Sequence, residues 1–309
     1  MISYNAKDWF TFIFKIHKTE TMQRLLPLLL GVGVYAGCWA YIENIFFADN
    51  KTIDLLNTIG IVYSILGFTL SLFLVFRTNT AYDRWWEGRR LWGDLNNAVR
   101  NISIHLHSSL PIENEQRRHY YSALMHLFSS ALKQHLQDKR VHNNHFEIFE
   151  DNNPIFEVKN EILKINQQPQ FIAKLIFLAL KADVRHGLFS IHELELFRSE
   201  LNKFMEVAGG CERIKNTPIP FTYSVFIKKF IFIYVMLFPI VYSTQLFFII
   251  IPVTMFILYV LASIELIAEE IENPFNGDES DLPLEAIVGN IGKNTREIFF
   301  LQIIKPLIY

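Results

Sequence analysis

Apolar residues gather into four long runs arranged as two pairs: Leu25 to Phe47 with Ile59 to Phe76, then roughly Ile219 to Tyr242 with Leu246 to Ile267. Each run holds about 18–24 residues, and a helix rising 1.5 Å per residue needs about 20 to cross a bilayer core. Four transmembrane helices are therefore predicted. The second run carries no charge, and its Ser64, Thr69 and Ser71 are expected to bond back to their own helix. Lys228 and Lys229 interrupt the third run near one end, where long side chains can reach the interface. Pro239 and Pro252 are expected to kink the last two helices, which membrane helices tolerate. Links are expected near Ala48 to Thr58 and Ser243 to Gln245.

Residues 77–218 have a different pattern. Leu124, Leu127, Phe128, Ala131, Leu132 and Leu136 recur at helical spacing between Tyr121 and Gln137, and Phe171 to Ala182 reads as another helix. Ser190 followed by Glu193 is a capping box opening a helix that Gly209-Gly210 is expected to end. No strand-like alternation or fixed repeat stands out. The chain thus divides into an interfacial or cytosolic helix over 1–24, a transmembrane pair over 25–76 and a mainly helical cytosolic domain over 77–218. A second transmembrane pair over 219–267 and an acidic turn with a C-terminal segment over 268–309 follow. The expected class is an all-α membrane protein.

Charge sets the orientation. Lys7, Lys15, Lys18 and Arg24 precede the first run, and Arg77, Arg84, Arg89, Arg90 and Arg100 follow the second, with only Lys51 between. The positive-inside rule places both termini and the middle region in the cytoplasm. Composition agrees: 51% hydrophobic and 19% charged residues is more apolar than a typical soluble domain, and 28 phenylalanines suit a lipid-facing surface. A net charge of -2 argues against nucleic acid as a partner. Cys38 and Cys211 lie too far apart to suggest a disulfide framework or zinc spacing. Trp9, Phe10, Ile13, Phe14 and Ile16 fit an amphipathic helix at the bilayer surface rather than a cleaved signal.

Phe68, Leu72 and Phe76 recur every four residues on the second run, and the same face continues to Asn79, Thr80 and Asp83. An apolar stripe turning polar past the membrane suits a pore-lining helix, because hydrophobic constrictions gate by dewetting. Ordinary helix packing or lipid contact produces the same spacing. Arg84-Trp85-Trp86 reads alone as a juxtamembrane anchor. After the fourth run, Glu265, Glu269, Glu270, Glu272, Asp278 and Asp281 surround Asn273-Pro274-Phe275 and Gly277. Oxygen ligands on such a turn suit a hard cation such as calcium, although the spacing is not that of an EF-hand, and a solvated turn capping a helix explains the acids equally.

Taken together, Arg84-Trp85-Trp86, Asn273-Pro274-Phe275 with its trailing acids, Cys211 to Pro220 leading into the third run, and the four-run layout resemble the bestrophin family, including its bacterial members. The resemblance spans nearly the whole chain. It implies a homopentameric ring in the lipid bilayer, in a bacterial inner (plasma) membrane, with a central pore for monovalent ions, chloride or sodium and potassium. The family's hydrophobic neck carries over, counting back from Arg84, onto Phe68, Leu72 and Phe76, with Leu72 a mild departure. Its cytosolic constriction carries over onto His192, with Ile191 beside it. An apolar residue is more usual there, and an exposed helix residue is the plain alternative. Animal members clasp calcium with the acidic turn. The matching carboxylates are Asp278 and Asp281, with backbone carbonyls from Asn273 and Glu270, and Ser280 interrupts the acid run. No cofactor is otherwise required. The ion's sign does not carry over: a ring of Asp83 favours cations and a ring of Arg77 favours anions.

Other classes fare worse. His105 with His107, and His142 with His145, lack the spacing of a shared helix face, and no phosphate loop or nucleophile elbow appears, so an enzyme is not expected. A secondary transporter usually shows broken helices and repeated halves. A non-conducting membrane scaffold would differ only in carrying no current. Four helices barely enclose a water-filled path, which itself favours a ring of subunits.

Overall fold

The computed structural model describes residues 20–46, 50–111, 113–150, 152–278 and 280–300. Among these the chain is helical, with no strands. The helices are α1 (Glu20–Phe46), α2 (Asn50–Ser109), α3 (Glu115–Leu136), α4 (Ile155–Lys164) and α5 (Gln168–Arg185). They continue with α6 (Ile191–Asn216), α7 (Phe221–Leu246), α8 (Ile250–Glu272) and α9 (Leu284–Phe300). Short 3-10 turns lie at Asn143–His145 and Phe247–Ile249. The expected interfacial segment before residue 20 and the chain after residue 300 lie outside the described residues.

Two compact units result. An apolar unit combines residues 20–84 with Pro218–Glu272, and a globular unit combines Trp85–Thr217 with residues 273–300. Both share α2, which at 60 residues is about 90 Å long. Three stretches of the described residues are long and apolar enough to cross a membrane: Leu25–Glu43, Thr58–Ser109 and Phe221–Glu272. The last of these contains two helices, α7 and α8.

The apolar unit is built on helical spacing. Leu25, Leu29 and Val32 of α1 meet Leu70 and Leu74 of α2, Ile227, Ile231 and Val235 of α7, and Leu258 of α8. Small residues let backbones approach, as membrane helices require. At Gly33 an added Cβ would lie 2.8 Å from Met255 Sδ, and at Gly37 it would lie 3.3 Å from Ile251 Cδ1. Pro239 lies inside α7 and removes the helical N–H that would serve the Val235 carbonyl. Carbonyls on either side take tyrosine hydroxyls: Tyr63 donates to Tyr234 O at 3.1 Å and Tyr35 to Met236 O at 3.0 Å. The Tyr63 ring also stacks on Tyr234, with centroids 4.2 Å apart.

In the globular unit Trp92, Leu95, Val99, Ile102 and Leu106 form the buried stripe of α2. It packs in one core with Tyr121, Leu124, Phe128 and Leu132 of α3, Phe197 and Phe204 of α6, and Val288 and Ile291 of α9. The capping box at Ser190 forms as expected: Ser190 Oγ accepts from Glu193 N, and Glu193 Oε2 accepts from Ser190 N at 2.7 Å. Glu193 Oε1 also accepts from Ser109 Oγ at 2.7 Å, fastening the start of α6 to the end of α2.

Three expected boundaries move. The link placed at 48–58 is helix from Asn50, because polar residues mark the edge of an apolar run without ending the helix. The link at 243–245 lies instead at Phe247–Ile249, where Phe247 takes a φ of 46° and halts α7. Gly209-Gly210 does not end α6, which runs on to Asn216. Gly210 serves packing instead: an added Cβ there would lie 2.9 Å from Leu91 Cδ1.

Candidate pore-lining face and acidic turn

Seen down its axis, α2 has two unlike faces within the apolar unit. Leu70, Leu74, Arg77 and Ala81 are buried. Phe68, Leu72 and Phe76 are 66%, 43% and 60% exposed on the other side. Asn79, Thr80 and Asp83 continue that exposed face. Hydroxyls along the segment are satisfied by their own helix: Thr69 donates to Ile65 O and Ser71 to Gly67 O at 2.9 Å, and Thr78 and Thr80 donate to the Leu74 and Phe76 carbonyls at 2.8 Å. Bonds of this kind keep polar side chains from hydrating the stripe.

Arg77 is a correction. Its side chain is 1% exposed and points into the subunit, away from the face that carries Phe76. Nη2 bonds Glu272 Oε2 at 2.7 Å, and Nε reaches Glu265 Oε1 at 3.5 Å. An uncompensated guanidinium in an apolar bundle is costly, so it turns toward carboxylates. Arg77 is therefore no free pore-mouth charge, whereas Asp83 is exposed. Glu272 binds further partners: Oε1 accepts from Ile219 N at 2.6 Å, and its carbonyl accepts from Arg84 Nε at 3.0 Å. Lys228 pairs with Glu269 at 2.8 Å. Sequence reasoning missed Glu265 and Glu272 as the arginine's partners. The available signal was the spacing of Glu265, Glu269 and Glu272, which puts all three on one face of α8.

The turn after α8 folds onto the start of the globular part of α2. Phe275 is fully buried, and an added Cβ at Gly88 would lie 3.1 Å from Phe275 Cζ and Pro274 Cγ. Trp85 Nε1 donates to Ser280 O at 3.2 Å, so the Arg-Trp-Trp and Asn-Pro-Phe segments meet. Leu282 N closes the turn on Pro274 O at 3.1 Å. Gly277 has a φ of 100°, a conformation that favours glycine.

Asp281 holds this turn from inside: its Oδ2 accepts from Gly277 N at 2.7 Å and Asp278 N at 3.0 Å. Burial nevertheless pushes its carboxyl up to about 6, against the pull of those two N–H groups. Asp281 Oδ1 and Asn273 Oδ1 are buried oxygens without a partner. Such oxygens suit a hard cation, and water serves them equally. Asp278 is exposed and Glu270 half-buried. Among the described residues no three His, Cys, Asp or Glu side chains gather as a metal cluster. Ile191 and His192 both lie exposed in the first turn of α6.

Comparison with known proteins points one way. A family model described as bacterial/fungal bestrophin protein matches residues 1–297. A voltage-dependent anion channel-forming protein of Synechocystis sp. is 31% identical over 238 residues, 76% of each chain. A protein of the same description from Escherichia coli K12 is 30% identical over 242 residues, 78% of this chain and 75% of its own. Among solved structures, a bacterial bestrophin homologue from Klebsiella pneumoniae superposes with a TM-score of 0.77 at 26% identity, covering 89% of this chain and 98% of that one.

Proposed function

Since this chain belongs to the bacterial and fungal bestrophin family, we propose that it is one subunit of a membrane-embedded ion channel whose pore is lined by α2. The observation that carries the reading is the exposed stripe of Phe68, Leu72 and Phe76 on a helix whose opposite face is packed. In this reading α1, the first part of α2, α7 and α8 span the membrane, both termini are cytoplasmic, and five copies form a ring. Each copy contributes three apolar side chains to a neck that water wets poorly. Asp83 lies at the neck's cytosolic mouth. Ile191 and His192 are placed at a second, cytosolic constriction. The location proposed is a bacterial inner membrane.

The conducted ion is proposed to be an anion, chloride first, because relatives are named as anion channel-forming proteins and because Phe68 and Phe76 can turn positive ring edges toward it. A cation-selective channel is the second reading. One observation favours it: Arg77 is buried against carboxylates while Asp83 is exposed. Calcium is proposed as an accessory ion of the acidic turn, held by the free oxygens of Asp281 and Asn273.

The test is the reversal potential of the purified protein in a planar bilayer under a salt gradient, for wild type and Leu72→Ala. A value near the chloride limit supports the first reading and one near the cation limit the second. Leu72→Ala is expected to raise conductance several-fold by widening the neck. Silence from a folded, inserted preparation would reject the channel and leave a transporter or a scaffold.

A further inference from the structure

A cavity of about 700 Å³ opens in the globular unit between α3, α9 and the 3-10 turn at Asn143–His145. Small-molecule sites commonly measure about 300–1,000 Å³, so it is far roomier than a water pocket. Its walls are mainly polar and cationic. Lys133 pairs with Glu285, and Lys293 lies 4.0 Å from Glu297, so these four charges offset one another. Arg296 is left over. Its Nη2 donates to Ile148 O at 2.7 Å, and among the described residues no carboxylate pairs with it. A guanidinium has five N–H donors, and one carbonyl uses a single one.

Opposite stands His126 of α3. Its Nε2 reaches Ser130 Oγ at 3.4 Å, while its Nδ1 is buried without a partner. The ring lies against the backbone at Gly292, where any Cβ would overlap it. Burial, then the charge of Arg296, then His145 hold this imidazole down to about 4, so it is neutral near pH 7. A neutral imidazole can offer Nδ1–H to a ligand. One turn earlier on α9, Gly289 faces open space. A side chain there would fill the cavity that the glycine leaves free.

We propose that this cavity binds a small organic oxyanion, a phosphate- or carboxylate-bearing metabolite, anchored by Arg296 with His126 Nδ1 as a second donor. An oxyanion supplies what the site lacks: a negative charge for the spare guanidinium and an acceptor for the orphaned imidazole nitrogen. Amides of Gln134 and Asn144 on the lining add neutral donors for the rest of such a molecule.

Isothermal titration of the purified full-length protein with inorganic phosphate, and separately with citrate, tests this and distinguishes the two chemistries. Saturable binding of at least one is expected, weakened tenfold or more by Arg296→Gln and abolished by Gly289→Leu. The leucine enters open space, and a folded thermal profile guards against trivial loss. Absence of saturable binding of either anion to wild type would overturn the proposal. So would binding left unchanged by both substitutions. No current is measured, so failure here leaves the channel reading standing.

Discussion

Asp281 is pulled two ways by its position. Two backbone N–H groups on Oδ2 favour the carboxylate, and burial with an unpartnered Oδ1 favours the acid. Burial wins, lifting the group from 3.8 to about 6. The folded protein then holds a proton that the unfolded chain releases. Stability from this residue is fully present below about pH 4 and is lost as pH rises through 6. The span corresponds to a loss on the order of 3 kcal/mol. Asp281→Asn keeps an acceptor for both N–H groups and removes the charge. Thermal unfolding should therefore show the variant more stable than wild type at pH 7.5 and level with it at pH 4.5. Millimolar calcium should raise the wild-type midpoint at pH 7.5 by neutralising the same charge, and leave the variant unmoved. Parallel pH profiles for the two proteins would remove Asp281 from this role, and a wild type indifferent to calcium would remove the ion.

Between elements, the strongest fastening in the apolar unit is ionic. Arg77 of α2 reaches two carboxylates of α8, and one of these, Glu272, also takes the backbone N–H of Ile219 ahead of α7. Removing one partner of a buried charge group costs more than removing the group, because the remaining charges stay buried. Arg77→Met is expected to cost about 3–5 kcal/mol, and adding Glu265→Gln to restore part of it, read as apparent midpoints in one detergent. A single variant as stable as wild type would mean the carboxylates find water or other partners. This clamp also marks what the sequence hid. Apolar runs announced the spanning helices and Ser190 with Glu193 announced a cap, since both signals are local. Which way Arg77 points depends on α8, nearly two hundred residues later, and no local pattern carries that. Gly210 misled for the same reason: a glycine that admits Leu91 looks in sequence like one that ends a helix. The stripe of Phe68, Leu72 and Phe76 was legible because its spacing belongs to one helix. The cavity beside Arg296 was not, since α3 and α9 meet only in the fold.

At the scale of the molecule, a single chain leaves the α2 stripe uncovered. Phe68, Leu72 and Phe76 stay exposed while Leu70 and Leu74, two residues away from each neighbour, are packed. Lipid would satisfy such a stripe, but the same face runs on to Asn79, Thr80 and Asp83, which lipid would not. A face that is apolar in one part and polar in the next fits an axis shared with other copies, where a dry neck opens into a wet vestibule. Closed cyclic symmetry gives each copy the same two neighbours and leaves no edge exposed. Native mass spectrometry of the protein in detergent is therefore expected to give five times the chain mass, with Leu72→Ala unchanged, because that side chain is assigned to the lumen rather than to a contact between copies. A complex that falls apart on Leu72→Ala would move the residue from the pore to an interface. A wild-type monomer would remove the ring, and with it the neck, since one α2 cannot enclose a path for ions.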